Sequence, residues 1–373
     1  MKKLKVVLVH DYIKEYGGAE RVLETLHETY PDAPIFTSIY LPQFLGPHVE
    51  RLKNWDIRPS VLQNLPFKQK LISPIRLIAP LIFSLMDFSE YDVVIVSATG
   101  AYIPNMIKKG KAIQICYCHT PPRYLYGYAT ARNWKNNKVL NFLGELANHF
   151  LRIIDFNSSQ KVDYFIANSN EVAGRIWKFY KREATVVYPP VDVGSSRFKN
   201  SLLQVPKAKY YLAGGRLARA KHIDLAIKAF DKLNRTLKIF GRDFAGYGDY
   251  LRKISRDNIK FLGEVTDEQK FELMRNAKAF IFPSEDEDFG ITPVEAMGMG
   301  CPVISYNSGG VKESVIDGKT GVFFDDLTSK SLRAAVKRLD KLNIKSSNCI
   351  KQAKKFSKAR FKKEIEEFIL SHA

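Results

Sequence analysis

The stretch AKAFIFPSEDEDFGITPVEAMGMGCPVISY (Ala277–Tyr306) holds two short apolar runs, AKAFIFPS and CPVISY, on either side of an acidic turn and a helix start. Runs of this length without strict polar alternation, separated by a helix, are the pattern of parallel strands buried on both faces. The pattern recurs along the chain. It is seen in KVVLVH (Lys5–His10), YDVVIVSA (Tyr91–Ala98), AIQICYCH (Ala112–His119) and DYFIANS (Asp163–Ser169) in the first half. In the second half it is seen in KYYLAGG (Lys209–Gly215), TLKIFG (Thr236–Gly241) and IKFLG (Ile259–Gly263). Each half reads as an open α/β sheet of Rossmann type.

Within the opening stretch, Thr292-Pro293-Val294-Glu295 predicts a helix start with Thr292 as N-cap and Pro293 at the first helical position. Glu295 then has two readings, the acid of a capping box or a ligand contact.

The 373 residues are enough for two domains with separate cores. VVYPPVDVGSSRFKNSLLQVPKAK (Val186–Lys209) is rich in Pro, Gly and Ser and has little periodicity, which puts the boundary near Pro190. The expected division is 1–189, 190–357 and a C-terminal helix over 358–373, with apolar positions at Phe361, Ile365, Phe368 and Ile369. No repeat or low-complexity tract is visible.

Lys and Arg number 58 against 39 Asp and Glu, a net charge of +19. That excess favours anionic partners: nucleic acid, acidic lipid headgroups or phosphorylated small molecules. The four cysteines, Cys116, Cys118, Cys301 and Cys349, form no CxxC pair, and the first two fall on an expected buried strand. A reducing, cytoplasmic setting is the expectation. MKKLKVVLVHDY opens like a signal peptide, but its apolar run stops at His10-Asp11 and reads as a strand. LISPIRLIAPLIFSLM (Leu71–Met86) is broken by two prolines and Arg76 and is not a spanning helix.

Four groups of residues fall at strand-to-helix turns, where ligands of open α/β sheets bind. Gly17-Gly18 precede an amphipathic helix and would let backbone amides approach an anion. His119 ends a strand and is followed by Thr-Pro-Pro; it reads as structural or as functional. Arg216 and Lys221 lie five apart between a strand and a helix, either as solvated charges or as a fork and a point charge for a diphosphate. Glu287, in the loop before Ile291, would sit above an anion held at the following helix N-terminus. The acidic run Glu285–Asp288 lacks the spaced oxygen ligands of a hard-cation site, and no Walker motif or His/Cys cluster is present. No obligatory metal or cofactor is expected.

GGAERVLE, HTPPRYLY, DYFIANS, YPPVD, GRLARAK, FLGEV, EDFGITPVEAMGMGCPVIS and GGVKESVIDGKTGVFF occur in that order over nearly the whole chain. With these motifs the sequence resembles the family 4 retaining glycosyltransferases. Their GT-B fold has two facing Rossmann-like domains, a central cleft and a C-terminal helix crossing back to the N-terminal domain. The resemblance implies that Arg216 and Lys221 hold a donor diphosphate and that Glu287 meets the hydroxyls of the donor sugar beside the Phe289-Gly290-Ile291 backbone. It implies that Glu295 accepts from the ribose hydroxyls, and that backbone near Gly263 to Val265 receives the base. Gly17 and Gly18 would close over the diphosphate, and His119 would touch the transferred sugar.

Two departures stand out: His222 follows Lys221 where the family usually has Gly, and IFGRDFAGYGDYL (Ile239–Leu251) replaces a Gly-x-Gly-Pro turn. The sequence is most similar to bacterial mannosyltransferase-like members that build surface polysaccharide, which implies GDP-mannose as donor. NWDIRPSVLQNLPFKQKLISPIRLIAPLIFSLMDF (Asn54–Phe88) combines Arg58, Lys68, Lys70 and Arg76 with bulky apolar residues. It reads either as core helix with solvated charges, or as a surface for an anionic membrane and a polyprenyl-diphosphate-linked acceptor. The second reading places the protein peripherally at the inner face of the cell membrane. A nucleic-acid-binding protein would carry interleaved aromatics or a known binding module, and neither is found. A catalytically inactive relative kept as a scaffold is the remaining alternative.

Overall fold

A computed structural model describes residues 4–128, 138–193 and 210–373. Among these the chain forms two compact units, one of residues 4–128, 138–190 and 359–373, the other of 191–193 and 210–358.

The first unit carries β1 (Val6–His10), β2 (Ile35–Thr37), β3 (Ile57–Pro59), β4 (Val93–Ala98), β5 (Ile113–Cys118), β6 (Tyr164–Ala167) and β7 (Ala184–Val186). They form one sheet of order β3-β2-β1-β4-β5-β6-β7, parallel throughout. The second carries β8 (Tyr210–Gly214), β9 (Thr236–Phe240), β10 (Ile259–Gly263), β11 (Phe280–Phe282), β12 (Val303–Tyr306) and β13 (Gly321–Phe324). Their order is β10-β9-β8-β11-β12-β13, again all parallel. Strand order reverses between β1 and β4 in one sheet and between β8 and β11 in the other. Crevices at such switch points, beyond the carboxyl ends of the strands, are where open α/β sheets bind ligands.

The nine expected strands are all present. Among the described residues four further strands were not expected, β2, β3, β7 and β13, each only three or four residues long. Each central strand is buried along its length, β1 and β4 completely, so periodicity alone could not have shown which face packs where. All four cysteines are free thiols buried in the protein.

The C-terminal helix Lys358–His372 buries Phe361, Ile365 and Ile369 in the core beneath β1, β4 and β5 of the first unit. Phe361 meets the Tyr117 ring edge-on at 5.7 Å, and Arg360 donates to the Tyr188 carbonyl at 2.6 Å. Leu71–Met86 is divided between the short helices Lys68–Ile75 and Ala79–Ser84. No helix among the described residues is long and apolar enough to cross a membrane.

Candidate functional site

In the second unit the loops that leave β8 and β11 meet at the switch point. Lys221 Nζ lies 2.5 Å from Glu287 Oε2, and the same carboxylate oxygen accepts from the Ser284 hydroxyl at 2.6 Å. Backbone joins the loops as well, since Glu285 N–H donates to the Ala220 carbonyl at 3.2 Å. Arg216 is exposed on the first of these loops, its guanidinium 5.2 Å from the centre of the Phe244 ring. Phe244 belongs to the loop that departs from the Gly-x-Gly-Pro turn, so the longer turn supplies a flat surface for Arg216. The other departure is accommodated without altering the helix. His222 takes the left-handed conformation, φ 46°, that a glycine would adopt freely, and its Nε2 lies 3.2 Å from Glu285 Oε2.

The helix beyond β11 runs Ile291–Gly298 with Gly290, φ 88°, as its N-cap. Thr292 is therefore not the cap, and the capping-box reading of Glu295 falls. The positive φ needed to turn the chain into the helix is met by Gly290, two residues earlier than the Thr-Pro signal indicated. Glu295 is buried, and Lys270 holds its Oε1 at 2.8 Å while also reaching Asp267 Oδ1 at 2.9 Å. Phe289 turns its side chain into the core against Phe356, with ring centres 5.3 Å apart, so its backbone is what the loop presents. Ile291 is half-buried at the first helical position.

The Ser308-Gly309-Gly310 turn clamps the acidic loop. Gly310 N–H donates to the Glu287 carbonyl at 2.8 Å. A Cβ on Gly309, whose φ is +69°, would stand 2.4 Å from that same oxygen. Gly263 ends β10 and accepts from Gly241 N–H at 2.7 Å. Val265 lines a hollow of about 540 Å³ with Tyr210, Lys238, Leu262 and Glu264. Arg216, Lys221, Glu287 and Glu295 do not line it.

In the first unit, Gly17 caps the helix Gly18–Thr29, and its N–H donates to Glu20 Oε2 at 2.8 Å. His119 follows β5 and is buried, with Nε2 2.9 Å from Ser97 Oγ at the end of β4. Asn168, from the DYFIANS run, donates to the His119 carbonyl at 2.9 Å. Burial, and then neighbouring His10, push the His119 imidazole down to about 3, so it is neutral at physiological pH. At the same switch point the buried Asp11 carboxylate accepts from Thr99 N–H and Ala101 N–H, both at 3.1 Å, and from Tyr102 N–H at 3.3 Å.

Lys270, Ser97, Asp11 and Gly309 were not singled out in the sequence. For Asp11 and Ser97 a signal did exist, a polar residue at the carboxyl end of an apolar strand. For Lys270 there was none.

Two family models match the chain: Glycosyltransferase Family 4 over residues 16–195 and Glycosyl transferases group 1 over 195–356. The α-1,3/1,6-mannosyltransferase ALG2 of Mus musculus is 26% identical over 95% of this chain and 93% of its own. The Homo sapiens protein of that name is 28% identical over 65% of each. Among solved structures, Anabaena HepE in complex with UDP and glucose superposes with a TM-score of 0.71 at 20% identity, covering all of both chains. The sucrose-phosphate synthase of Thermosynechococcus elongatus superposes with 0.73 at 14% identity over 98% of both. These two likenesses concern the fold, which is GT-B, with two Rossmann-like domains.

Proposed function

The chain belongs to glycosyltransferase family 4, and from that premise we propose that it is a retaining, metal-independent mannosyltransferase. It takes mannose from GDP-mannose and passes it to a polyprenyl-diphosphate-linked glycan acceptor in the synthesis of cell-surface polysaccharide. Membership of the family makes it a hexosyltransferase acting on a nucleotide-sugar donor. The mannose is favoured by the ALG2 relatives, named as mannosyltransferases.

The observation that carries the reading is the Lys221–Glu287 pair at the switch point, with Arg216 exposed on the same loop. Sugar transfer breaks the bond between the anomeric carbon and a diphosphate oxygen, and the electron pair leaves with the phosphate. The acceptor oxygen attacks from the same face, its proton passes to the departing phosphate, and configuration is kept. Negative charge grows on the diphosphate, where Arg216 and Lys221 stand as fixed donors. Glu287 receives the sugar hydroxyls and holds Lys221 in place. Glu295, held through one oxygen by Lys270, faces the ribose.

The acceptor reading is supported by apolar side chains left in solvent on the first unit. Phe67, Leu77, Leu81 and Leu85 are all more than half exposed, and Lys70 is exposed beside them. Phe142, Leu146, Phe150 and Ile153 form a second exposed stripe along the helix Lys138–Gln160. The basic contribution of Asn54–Phe88 is smaller than its composition indicated. Arg76 lies over the Tyr124 ring at 4.2 Å, and Lys68 reaches the Gln63 carbonyl. Apolar contact therefore carries more of the membrane reading, and the protein sits peripherally at the inner face of the membrane.

A thermal-shift panel of GDP-mannose, UDP-glucose and UDP-N-acetylglucosamine, with and without chelator, tests the donor. Saturating GDP-mannose is expected to raise Tm whether or not chelator is present, by the stabilisation of about 2.7 kcal/mol that a ligand at a hundred times its Kd supplies. A shift only with a UDP-sugar, or only with metal, removes that donor or that independence. Flotation with anionic vesicles tests the membrane face, and a protein that stays at the bottom of the gradient removes it.

A further inference from the structure

A line of buried polar groups runs through the first unit behind His119. Glu20 Oε1 faces His10 Nε2 at 3.8 Å, His10 Nδ1 lies 3.1 Å from Ser97 Oγ, and Ser97 Oγ lies 2.9 Å from His119 Nε2. His10 and Ser97 are register partners on β1 and β4, so the line crosses the switch point of the sheet.

We infer that Glu20, His10 and Ser97 are positioning residues that hold His119 in its Nε2–H tautomer, so that Nδ1 is the acceptor offered to a hydroxyl of the transferred sugar. The inference deepens the proposed function, since it rests on His119 meeting that sugar.

The direction of the line follows from the charge at its far end. Glu20 Oε2 accepts from Gly17 N–H at 2.8 Å, which fixes the side chain so that Oε1 is the oxygen turned to His10. A carboxylate oxygen facing an imidazole nitrogen favours the proton on that nitrogen, since two lone pairs would repel. In its neutral form His10 then carries its one N–H on Nε2 and a lone pair on Nδ1. Ser97 has one hydroxyl hydrogen, and it is donated to His10 Nδ1. The Ser97 oxygen is left to accept, and the donor it faces is His119 Nε2–H. A neutral imidazole carries one N–H, so Nδ1 of His119 holds the lone pair. Burial that keeps His119 neutral keeps this choice in force.

Long-range ¹H–¹⁵N NMR of histidine-labelled protein reads the tautomer directly, with His119→Gln assigning its signals among the seven histidines. The expected pattern for His119 is a protonated Nε2 and an unprotonated Nδ1. Glu20→Gln is expected to reverse it. The amide oxygen of that glutamine must accept from Gly17 N–H, which turns its NH₂ towards His10, and each proton along the line then shifts to the opposite side. Ser97→Ala is expected to lose the fixed pattern and give a mixture, and Ser97→Thr, which keeps a hydroxyl, to restore it. A protonated Nδ1 in the wild type, or a pattern unmoved by both Glu20→Gln and Ser97→Ala, overturns the relay. GDP-mannose then separates the relay from the reading beneath it. If the nucleotide sugar raises Tm yet leaves the His119 Nδ1 signal unmoved, the sugar contact is overturned while the relay stands. A donor that neither raises Tm nor moves the signal overturns the choice of donor instead.

Discussion

Lys221 and Glu287, 66 residues apart in sequence, form an ion pair that ties the loop after β8 to the loop after β11. The two side chains are about three-quarters and four-fifths buried, so neither is an ordinary solvated charge. If the pair positions a cation for a departing diphosphate, Lys221→Met and Glu287→Gln each lower kcat/KM for the donor by about 10²–10³. The double variant falls well short of the product of the two losses, because removing either partner already spoils the shared geometry. Steady-state kinetics on the four proteins tests this, and strictly multiplicative losses would show that the two residues act separately.

His222 sits at φ 46°, ψ 37°, where a Cβ crowds the backbone. Its contact with Glu285 is half-exposed and contributes little. Comparing His222→Gly with His222→Ala cancels that contact, since both variants lose it. The glycine variant is expected to be the more stable by about 1 kcal/mol, read from chemical denaturation. Equal stabilities would mean that the helix entry relaxes to a right-handed turn.

Lys270 is 8% exposed and stands between two carboxylates, Asp267 and Glu295. Lys270→Met takes a buried ammonium away from both acids and is expected to destabilise the protein by about 3–5 kcal/mol. Glu295→Gln leaves the Lys270–Asp267 contact in place and costs less. Denaturant midpoints order the two variants, and a loss below about 1 kcal/mol for Lys270→Met would show that the acids do not depend on this ammonium.

What could be read in the sequence followed chain locality. Strands such as β1 and β4, with runs of β-branched residues between turn signals, were plain. The short β3 and β7 are held by pairing to a neighbour and carry little signal of their own. The charged residues of the site were visible as positions after strands, but their partners were not. Nothing local announces that Lys270 will reach Glu295, or that Ser97 will lie between two histidines. Glu295 shows the limit most clearly. Its spacing from Thr292 satisfied a capping rule, yet the left-handed Gly290 had already started the helix and freed the acid for a tertiary contact.

Asp155 provides a pH test of the first unit that is independent of substrate. It is buried and accepts from the Tyr126 hydroxyl at 2.8 Å and the Tyr180 hydroxyl at 2.9 Å. Burial outweighs these hydrogen bonds and pushes its carboxyl up from 3.8 to about 7. Between about pH 4 and 7 the native state therefore holds a proton that the unfolded chain has released, and stability falls as pH rises through that window. His119 contributes with the opposite sign. Its native imidazole is held down to about 3, so below its unfolded value of 6.5 the unfolded chain gains the proton, and stability falls as pH drops. Comparison with Asp155→Asn at each pH cancels the histidine contribution and isolates the carboxyl. Relative to that variant, the wild type is expected to lose on the order of a few kcal/mol between pH 4 and pH 8, measured by denaturation. A difference that stays constant with pH would mean that Asp155 titrates as an ordinary carboxylate, and that its two tyrosines, not its burial, set its charge.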